Sequence, residues 1–278
     1  MLKTLLVHVP SERPIRPVVD GAISLAVSYG AQLDAVSIGY ETTNVGLAFA
    51  SGGAAVAAVF EIEQERAAER AQAALAVFET AARNAGITYN LQALTSTPLV
   101  AAESVSALAR LRDLTIALQP EPGRETFDDT IPLEILFQSG GPVLFIPHAH
   151  KGSVEPKRIG IAWDGSRLAA RAVRDAAPFL NAAQAITIIS VNHEQAPANA
   201  SATALAAHLE RHGLAANIER ASADHADIQP TILSIAADTG VDLIVMGAYG
   251  HSRLQERILG GITRGMLQSM TVPTLMSH

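Results

Sequence analysis

Short apolar runs alternate with longer amphipathic segments along this 278-residue chain, and this alternation is the feature that most constrains its fold. Runs rich in Val, Ile and Leu are typical of strands buried on both faces. Parallel strands need crossover connections, which are usually helices that cover the sheet. The pattern therefore predicts an α/β fold with helices on both faces of a mainly parallel sheet.

The order of segments occurs twice. Residues 3–9 resemble residues 157–163, and Gln138-Ser139 resembles Gln268-Ser269, each pair lying shortly before a proline. We therefore predict two tandem open, mainly parallel five-stranded sheets, with domains at 1–150 and 151–278, called here the N-terminal and C-terminal halves. Strands are predicted at 5–9, 33–39, 89–95, 114–118, 143–146, 159–163, 185–191, 217–221, 243–246 and 272–276, and helices at 14–29, 54–84, 99–110, 133–138, 168–180, 202–211, 228–237 and 262–270.

A glycine-rich segment follows the fourth predicted strand of the C-terminal half. That strand ends at Gly247, Gly250 follows, and Gly260 and Gly261 open the helix predicted at 262–270. The N–H groups that start a helix lack internal partners and lie at the positive end of its dipole, and glycine allows a phosphate to approach closely. The segment therefore predicts an anion site at the start of this helix.

Several other residues belong to the candidate site because of their positions in this segment. Thr263 offers a hydroxyl in the first helical turn, and His251 and Arg253 can oppose phosphate charge. Surface exposure alone also explains the two basic residues. Met246 and Ile262 flank the glycines, although Ile262 also begins an apolar series with i, i+4 spacing that indicates core packing.

The pattern Gly-x2-Gly-x9-Gly, closed by the strand at 272–276, resembles the nucleotide-binding signature of the universal stress protein family. That family usually has Ser or Thr directly after the third glycine, whereas this chain has Gly261. The resemblance covers essentially the whole chain and is strongest from 158 to 278. It implies a Rossmann-like, adenine nucleotide alpha hydrolase-like fold and a stress-response regulator that binds ATP or a related adenine nucleotide, with or without Mg²⁺. It also places Asp164 in the nucleotide site and Val191 against the base.

The two halves differ in this motif. Where the C-terminal half has the segment 247–250, the N-terminal half has Gln119-Pro120-Glu121-Pro122, and Thr130-Ile131 replaces the double glycine. Prolines remove donors, and the nearby carboxylates would repel phosphate. These carboxylates are Glu121, Glu125, Asp128 and Asp129. The sequence thus predicts a degenerate N-terminal domain and places any nucleotide in the C-terminal domain.

Two of these features have a purely structural interpretation as well. Asp164-Gly165-Ser166 is also typical of a tight turn that caps a helix. His208 and His212 have a metal-compatible spacing, but without a third ligand a solvated helix face explains them better, and we predict no metal site. Without a nucleophile elbow or Walker motif, catalytic residues are not assigned, and weak ATP hydrolysis is the most that we expect.

Composition excludes several classes of function. The net charge of -7 and the 4% aromatic content argue against nucleic-acid binding. The chain has no cysteine, which excludes disulfides and thiolate metal sites. No leader peptide and no apolar run long enough to span a membrane are recognised, so we expect a soluble, cytoplasmic protein.

Three hypotheses follow from the sequence: a nucleotide-binding regulator, a same-fold interaction module that binds another small ligand or none, and a slow adenylate-processing enzyme. For assembly, the resemblance implies pairing of the fifth strands, at 143–146 and 271–276. We therefore expect an intrachain pseudo-dimer, which is compatible with further homodimerisation. The segment around Gly52 and the long helix after it are additional features of the N-terminal half.

Overall fold

The computed structural model describes residues 1–41, 53–192, 198–248 and 261–278, and within them one continuous sheet of ten strands is flanked by helices. The segment around Gly52 lies outside the described residues. The strands are β1 Thr4–His8, β2 Gln32–Tyr40, β3 Tyr89–Ser96, β4 Leu114–Leu118, β5 Val143–Ile146, β6 Arg158–Ala162, β7 Ala185–Val191, β8 Ala216–Ala221, β9 Leu243–Gly247 and β10 Thr274–Ser277. The helices are α1 Arg16–Tyr29, α2 Gly53–Ala85, α3 Pro98–Ala109, α4 Ile131–Gln138, α5 Arg167–Asp175, α6 Ala177–Leu180, α7 Ala202–Arg211, α8 Ile228–Asp238 and α9 Ile262–Ser269.

The strand order is β3-β2-β1-β4-β5-β10-β9-β6-β7-β8. Every neighbouring pair is parallel except β5 and β10, which are antiparallel with Leu144 opposite Leu275. The structure therefore confirms the predicted α/β class and the predicted pairing of the fifth strands. Because that pair is antiparallel, strands β1–β5 and β6–β10 run in opposite directions, and their carboxyl ends lie at opposite ends of the sheet.

Helices cover both faces of the sheet and create two cores. One face buries Phe78 of α2 and Phe179 of α6, and the other buries Ile135 of α4 and Met266 of α9. Buried branched residues in the central strands contribute to both layers, as the continuous apolar runs predict. Across the described residues, every helix is too short or too polar to cross a bilayer.

Prolines explain two departures from the predicted elements. The helix predicted at 168–180 is divided into α5 and α6, because Pro178 lacks an N–H and its ring crowds the preceding turn. The last strand begins at Thr274 rather than at 272, since Pro273 cannot donate to a ladder; its carbonyl accepts from the Ile244 N–H at 3.0 Å.

Gly247 closes β9 against the first turn of α5. A Cβ atom at this position would lie 2.6 Å from the backbone nitrogen of Ala169 and 2.6 Å from the carbonyl carbon of Leu168. Real Cβ atoms do not approach backbone atoms so closely, so any side chain here would displace α5 or the end of β9. Gly247 is therefore required for packing, whatever else it does.

We expect Gly247→Ala to lower the free energy of unfolding by about 1–3 kcal/mol, because overpacking forces a backbone shift. Urea unfolding without added nucleotide measures this loss. Gly141→Ala is the matched control, since its Cβ would meet its nearest atom, the Arg112 carbonyl oxygen, only at 3.8 Å. Equal stability of the two variants would contradict the packing role of Gly247.

Candidate functional site

Four of the predicted site residues lie at one end of the sheet. In neighbouring strands, Ala162 of β6 pairs with Met246 of β9, and Met246 pairs with Met276 of β10. Gly247 ends β9 and Val191 ends β7, while Asp164 follows β6 by two residues. The structure thus brings Asp164, Val191, Met246 and Gly247 to the shared carboxyl edge of the C-terminal half, where open α/β sheets bind ligands.

Asp164 forms the tight turn that the structural interpretation predicts. Its Oδ1 accepts from the Ser166 N–H at 2.8 Å, and Gly165 has a φ of 78°. Ser166 then caps α5 by accepting from the Ala169 N–H at 3.1 Å. The Asp164 side chain is nevertheless exposed at the sheet edge, so the turn holds the carboxylate in place and leaves it accessible to solvent.

Met246 and Val191 border the edge differently. Met246 is 5% exposed and belongs to the core under α8 and α9, whereas Val191 is half-buried. The residue after Val191, Asn192, adopts a left-handed φ of 57°. Its side-chain amide exchanges hydrogen bonds with the backbone of Ala223 at 2.9 and 3.0 Å. This loop pairing fixes the end of β7, and with it the position of Val191.

Helix α9 begins at the same edge, because it leads into β10, which runs parallel to β9. Its N-cap is Gly261, with φ -66° and ψ 150°, and no side chain caps it. Gly261 is buried, Thr263 is 4% exposed and Ile262 is half-buried against the core. Gly250, His251, Arg253 and Gly260 lie outside the described residues.

The N-terminal half also contacts this edge, which the sequence analysis missed. The backbone of Ala248, just after β9, donates to the Ser277 carbonyl at 2.9 Å, and its carbonyl lies 3.0 Å from Nδ1 of His278. The His278 ring packs edge-on against Phe137 of α4, with 4.8 Å between ring centroids. Phe137 is an ordinary apolar residue in its helix, so no sequence signal marks this contact.

A reciprocal contact lies at the opposite end of the sheet. Gln119, which replaces the first motif glycine in the N-terminal half, is 1% exposed. Its Nε2 donates to the Leu267 carbonyl of α9 at 2.8 Å, and its Oε1 accepts from the His148 N–H at 3.2 Å. Because both the nitrogen and the oxygen of this buried amide are hydrogen-bonded, Gln119 forms a specific contact between the two halves.

The carboxyl edge of the N-terminal half is filled by its own side chains. Asp128 is 4% exposed; its Oδ1 accepts from the Tyr40 hydroxyl at 2.9 Å and its Oδ2 from the Glu12 N–H at 2.8 Å. Arg13 donates to the side chains of Glu121 and Asp129. Side chains thus occupy this edge in the half whose sequence lacks the glycine motif.

His8 lies within this buried cluster. Its Nε2 is 3.6 Å from Oδ1 of Asp128, which is beyond a hydrogen bond, and this nitrogen has no hydrogen-bond partner. Burial lowers the pKa of His8 to about 4 and raises the pKa of Asp128 to about 7. The pair is therefore not an ion pair in mildly acidic solution, because the proton resides on Asp128 and His8 is neutral.

These two shifts oppose each other in the pH dependence of stability. Between about pH 4 and 6.5, the folded pair holds one proton on Asp128, and the unfolded chain holds one on His8, whose ordinary pKa is 6.5. Stability changes with pH only when the folded and unfolded states bind different numbers of protons. The intact pair therefore adds little pH dependence in this range.

Replacing either His8 or Asp128 should reveal the effect of the remaining residue on the pH dependence of the free energy of unfolding. With Asp128→Asn, the depressed His8 pKa remains, so the free energy of unfolding should fall as pH drops from about 6.5 to 4. With His8→Leu, the raised Asp128 pKa remains, and stability should fall as pH rises from about 4 to 7.

In each variant the free energy of unfolding should change by a total on the order of 3–4 kcal/mol, measured by urea unfolding across this pH range. The charged neighbours Glu12, Arg13, Glu121 and Asp129 are unchanged in both variants, and the wild type provides the flat reference. Parallel profiles for the two variants would show that the assigned protonation states are wrong.

Comparison with known proteins agrees with this architecture. Residues 155–278 match the Universal stress protein family. A universal stress protein of Methanocaldococcus jannaschii is 40% identical over 45 residues, which are 16% of this chain. The match spans 28% of that relative's length.

Two solved structures resemble the chain along nearly its whole length. A universal stress protein from Archaeoglobus fulgidus has a TM-score of 0.74 at 16% identity, covering 98% of this chain and 95% of that one. The cytoplasmic domain of a prokaryotic cation chloride cotransporter has a TM-score of 0.50 at 11% identity, covering 99% and 95%. Both similarities concern the fold. Residues 155–278 therefore form a domain of the universal stress protein family.

Proposed function

We propose that the C-terminal domain, residues 151–278, binds ATP or a related adenine nucleotide, and that its occupancy is a regulatory signal in a cytoplasmic stress response. The observation that carries this proposal is the difference between the two carboxyl edges. In the N-terminal half, the buried Asp128 and the ion pairs of Arg13 with Glu121 and Asp129 fill the edge. In the C-terminal half, α9 begins at a glycine without a side-chain cap.

The residues at this edge fit a nucleotide. The start of α9, at Gly261 and Ile262, lies at the positive end of the helix dipole, which favours a phosphate. The exposed Asp164 carboxylate suits a ribose hydroxyl, a role that acidic residues have in dinucleotide-binding folds. Bound nucleotide would supply phosphate charge at the positive end of α9, with Mg²⁺ as a counter-ion. Gly250, His251, Arg253 and Gly260 complete the proposed site, together with Val191, Met246 and Gly247.

The same asymmetry supports a division of roles between the domains. Residues 1–150 form the proposed degenerate domain, in which Gln119 replaces the first motif glycine. The Gln119 side chain is hydrogen-bonded to α9. Its contribution is structural, because its own ligand edge faces the opposite end of the sheet.

A second function, an interaction module that binds another small ligand or none, is favoured by the burial of Gly261 and Thr263. Phosphate contact with the α9 amides requires these residues to become accessible. A thermal melt distinguishes the two functions, because only the nucleotide-binding function predicts that ATP raises the melting temperature. Nothing in the described residues favours the third hypothesis, an adenylate-processing enzyme.

Gly261→Asp tests the nucleotide proposal directly. The negative φ of Gly261 accepts a side chain, and an Asp at the N-cap would bind the same amides that the phosphate needs. We expect nucleotide affinity to fall about tenfold or more from lost donors and like-charge repulsion. Folding stability should hold or increase by about 1 kcal/mol.

Gly261→Ser is the matched control, because it adds a neutral capping hydroxyl without the charge. Titration calorimetry with ATP, ADP and cyclic AMP should give Gly261→Ser near-wild-type affinity.

Undiminished affinity in a well-folded Gly261→Asp protein would contradict phosphate binding at α9. Failure of the wild type to bind any of the three at millimolar concentration would select the interaction module. ATP turnover abolished by Asp164→Ala would instead indicate an enzyme.

A further inference from the structure

The two outer strands of the sheet differ in their protection. An edge strand presents unpaired backbone groups, and charged residues are a common way to prevent another chain from pairing with it. β8, at one edge, has six residues and includes Glu219 and Arg220. β3, at the other edge, has eight residues, Tyr-Asn-Leu-Gln-Ala-Leu-Thr-Ser, without a charge or a proline. β3 is therefore the unprotected edge.

The hydrogen bonds to β2 identify which groups of β3 face outward. Thr88 accepts from the Leu33 N–H at 3.0 Å, and Ser96 accepts from the Glu41 N–H at 3.1 Å. Residues in a parallel strand bond alternately to either side, so the even-numbered residues of β3 bond to β2. The outward groups are the N–H and C=O of Tyr89, Leu91, Ala93 and Thr95. In the described ranges, no turn or loop bonds to these four residues.

The surroundings of this edge are exposed and apolar. Residues 90–93 are all exposed, and Leu91 is 38% exposed. Just beyond the strand, in the first turn of α3, Leu99 and Val100 are 72% and 51% exposed. Exposed apolar residues near an open edge are typical of interaction surfaces.

We propose that β3 pairs antiparallel with β3 of a second copy of this chain, about a two-fold axis through Gln92. In this register Tyr89 pairs with the partner's Thr95 and Leu91 with the partner's Ala93, and each pairing is repeated by symmetry. All four outward residues are satisfied, and no like charges meet because the strand has none. Such a self-complementary patch is what a two-fold interface requires.

The unequal edges also predict a closed dimer rather than a fibre. Pairing at β3 leaves β8 as the outer strand at both ends of the joined sheet, and β8 has the charged residues that disfavour further pairing. Antiparallel pairing between edges already occurs within the chain, where β5 meets β10.

Sedimentation equilibrium of the full chain tests the proposal with two edge variants. Ala93→Pro removes an outward N–H without affecting the bonds to β2, and prolines are tolerated on edge strands. Ala93→Lys keeps the N–H and adds a charge, so it provides the test if the proline variant unfolds. We expect a wild-type dimer whose dissociation constant rises at least about tenfold in both variants. Asn217→Lys in β8 is the matched control and should leave the dimer unchanged.

Disulfide formation tests the register, because the chain has no cysteine of its own. Gln92→Cys places two thiols opposite each other at the two-fold axis, so mild oxidation should cross-link the dimer. Asn90→Cys is on the same face, but its Cα atoms would be about 13 Å apart in this register, and it should cross-link poorly. A monomeric wild type, an Ala93→Lys dimer of unchanged affinity, or equal cross-linking of the two cysteine variants would each overturn the proposal.

Discussion

The antiparallel pairing of β5 with β10 is the interaction on which the rest of this structure depends. It joins two groups of five parallel strands into one sheet, and it uses the two edges that would otherwise remain open at its centre. Apolar residues on both faces of this pair, including Phe145 and Leu275, are fully buried. Burial on both faces stabilises this junction through the hydrophobic effect and makes its register specific, because a shift by one residue would exchange the two faces.

This junction also determines what each half can contribute to the other. Since the two groups of strands run in opposite directions, the last helix of each half reaches the carboxyl edge of the other. The end of α4 brings Phe137 to His278, and the end of α9 brings the Leu267 carbonyl to Gln119. The N-terminal half therefore supports the candidate nucleotide edge through helix packing, while its own edge is closed by Asp128, Tyr40 and Arg13.

Much of the fold could be predicted from sequence, because buried parallel strands have continuous apolar runs. β4, β5 and β7 begin and end at the predicted residues. Most other bounds differ by one or two residues, and Pro178 and Pro273 explain two of the departures because prolines interrupt regular hydrogen bonding. The candidate site was less predictable. Gly247 follows a motif, but the sequence does not reveal that the first turn of α5 excludes a Cβ there. The His8–Asp128 proximity and the His278–Phe137 contact join residues far apart in the chain, and neither has a local pattern.

The placement of α9 has a further mechanical consequence. This short helix begins at the candidate nucleotide edge and ends where its Leu267 carbonyl is held by the buried Gln119. Rigid rods transmit displacement along their length, and eight helical residues extend about 12 Å. Movement of the Gly261 end would thus strain the buried Gln119 amide at the far end of the sheet, so this one helix links the two opposite edges of the molecule.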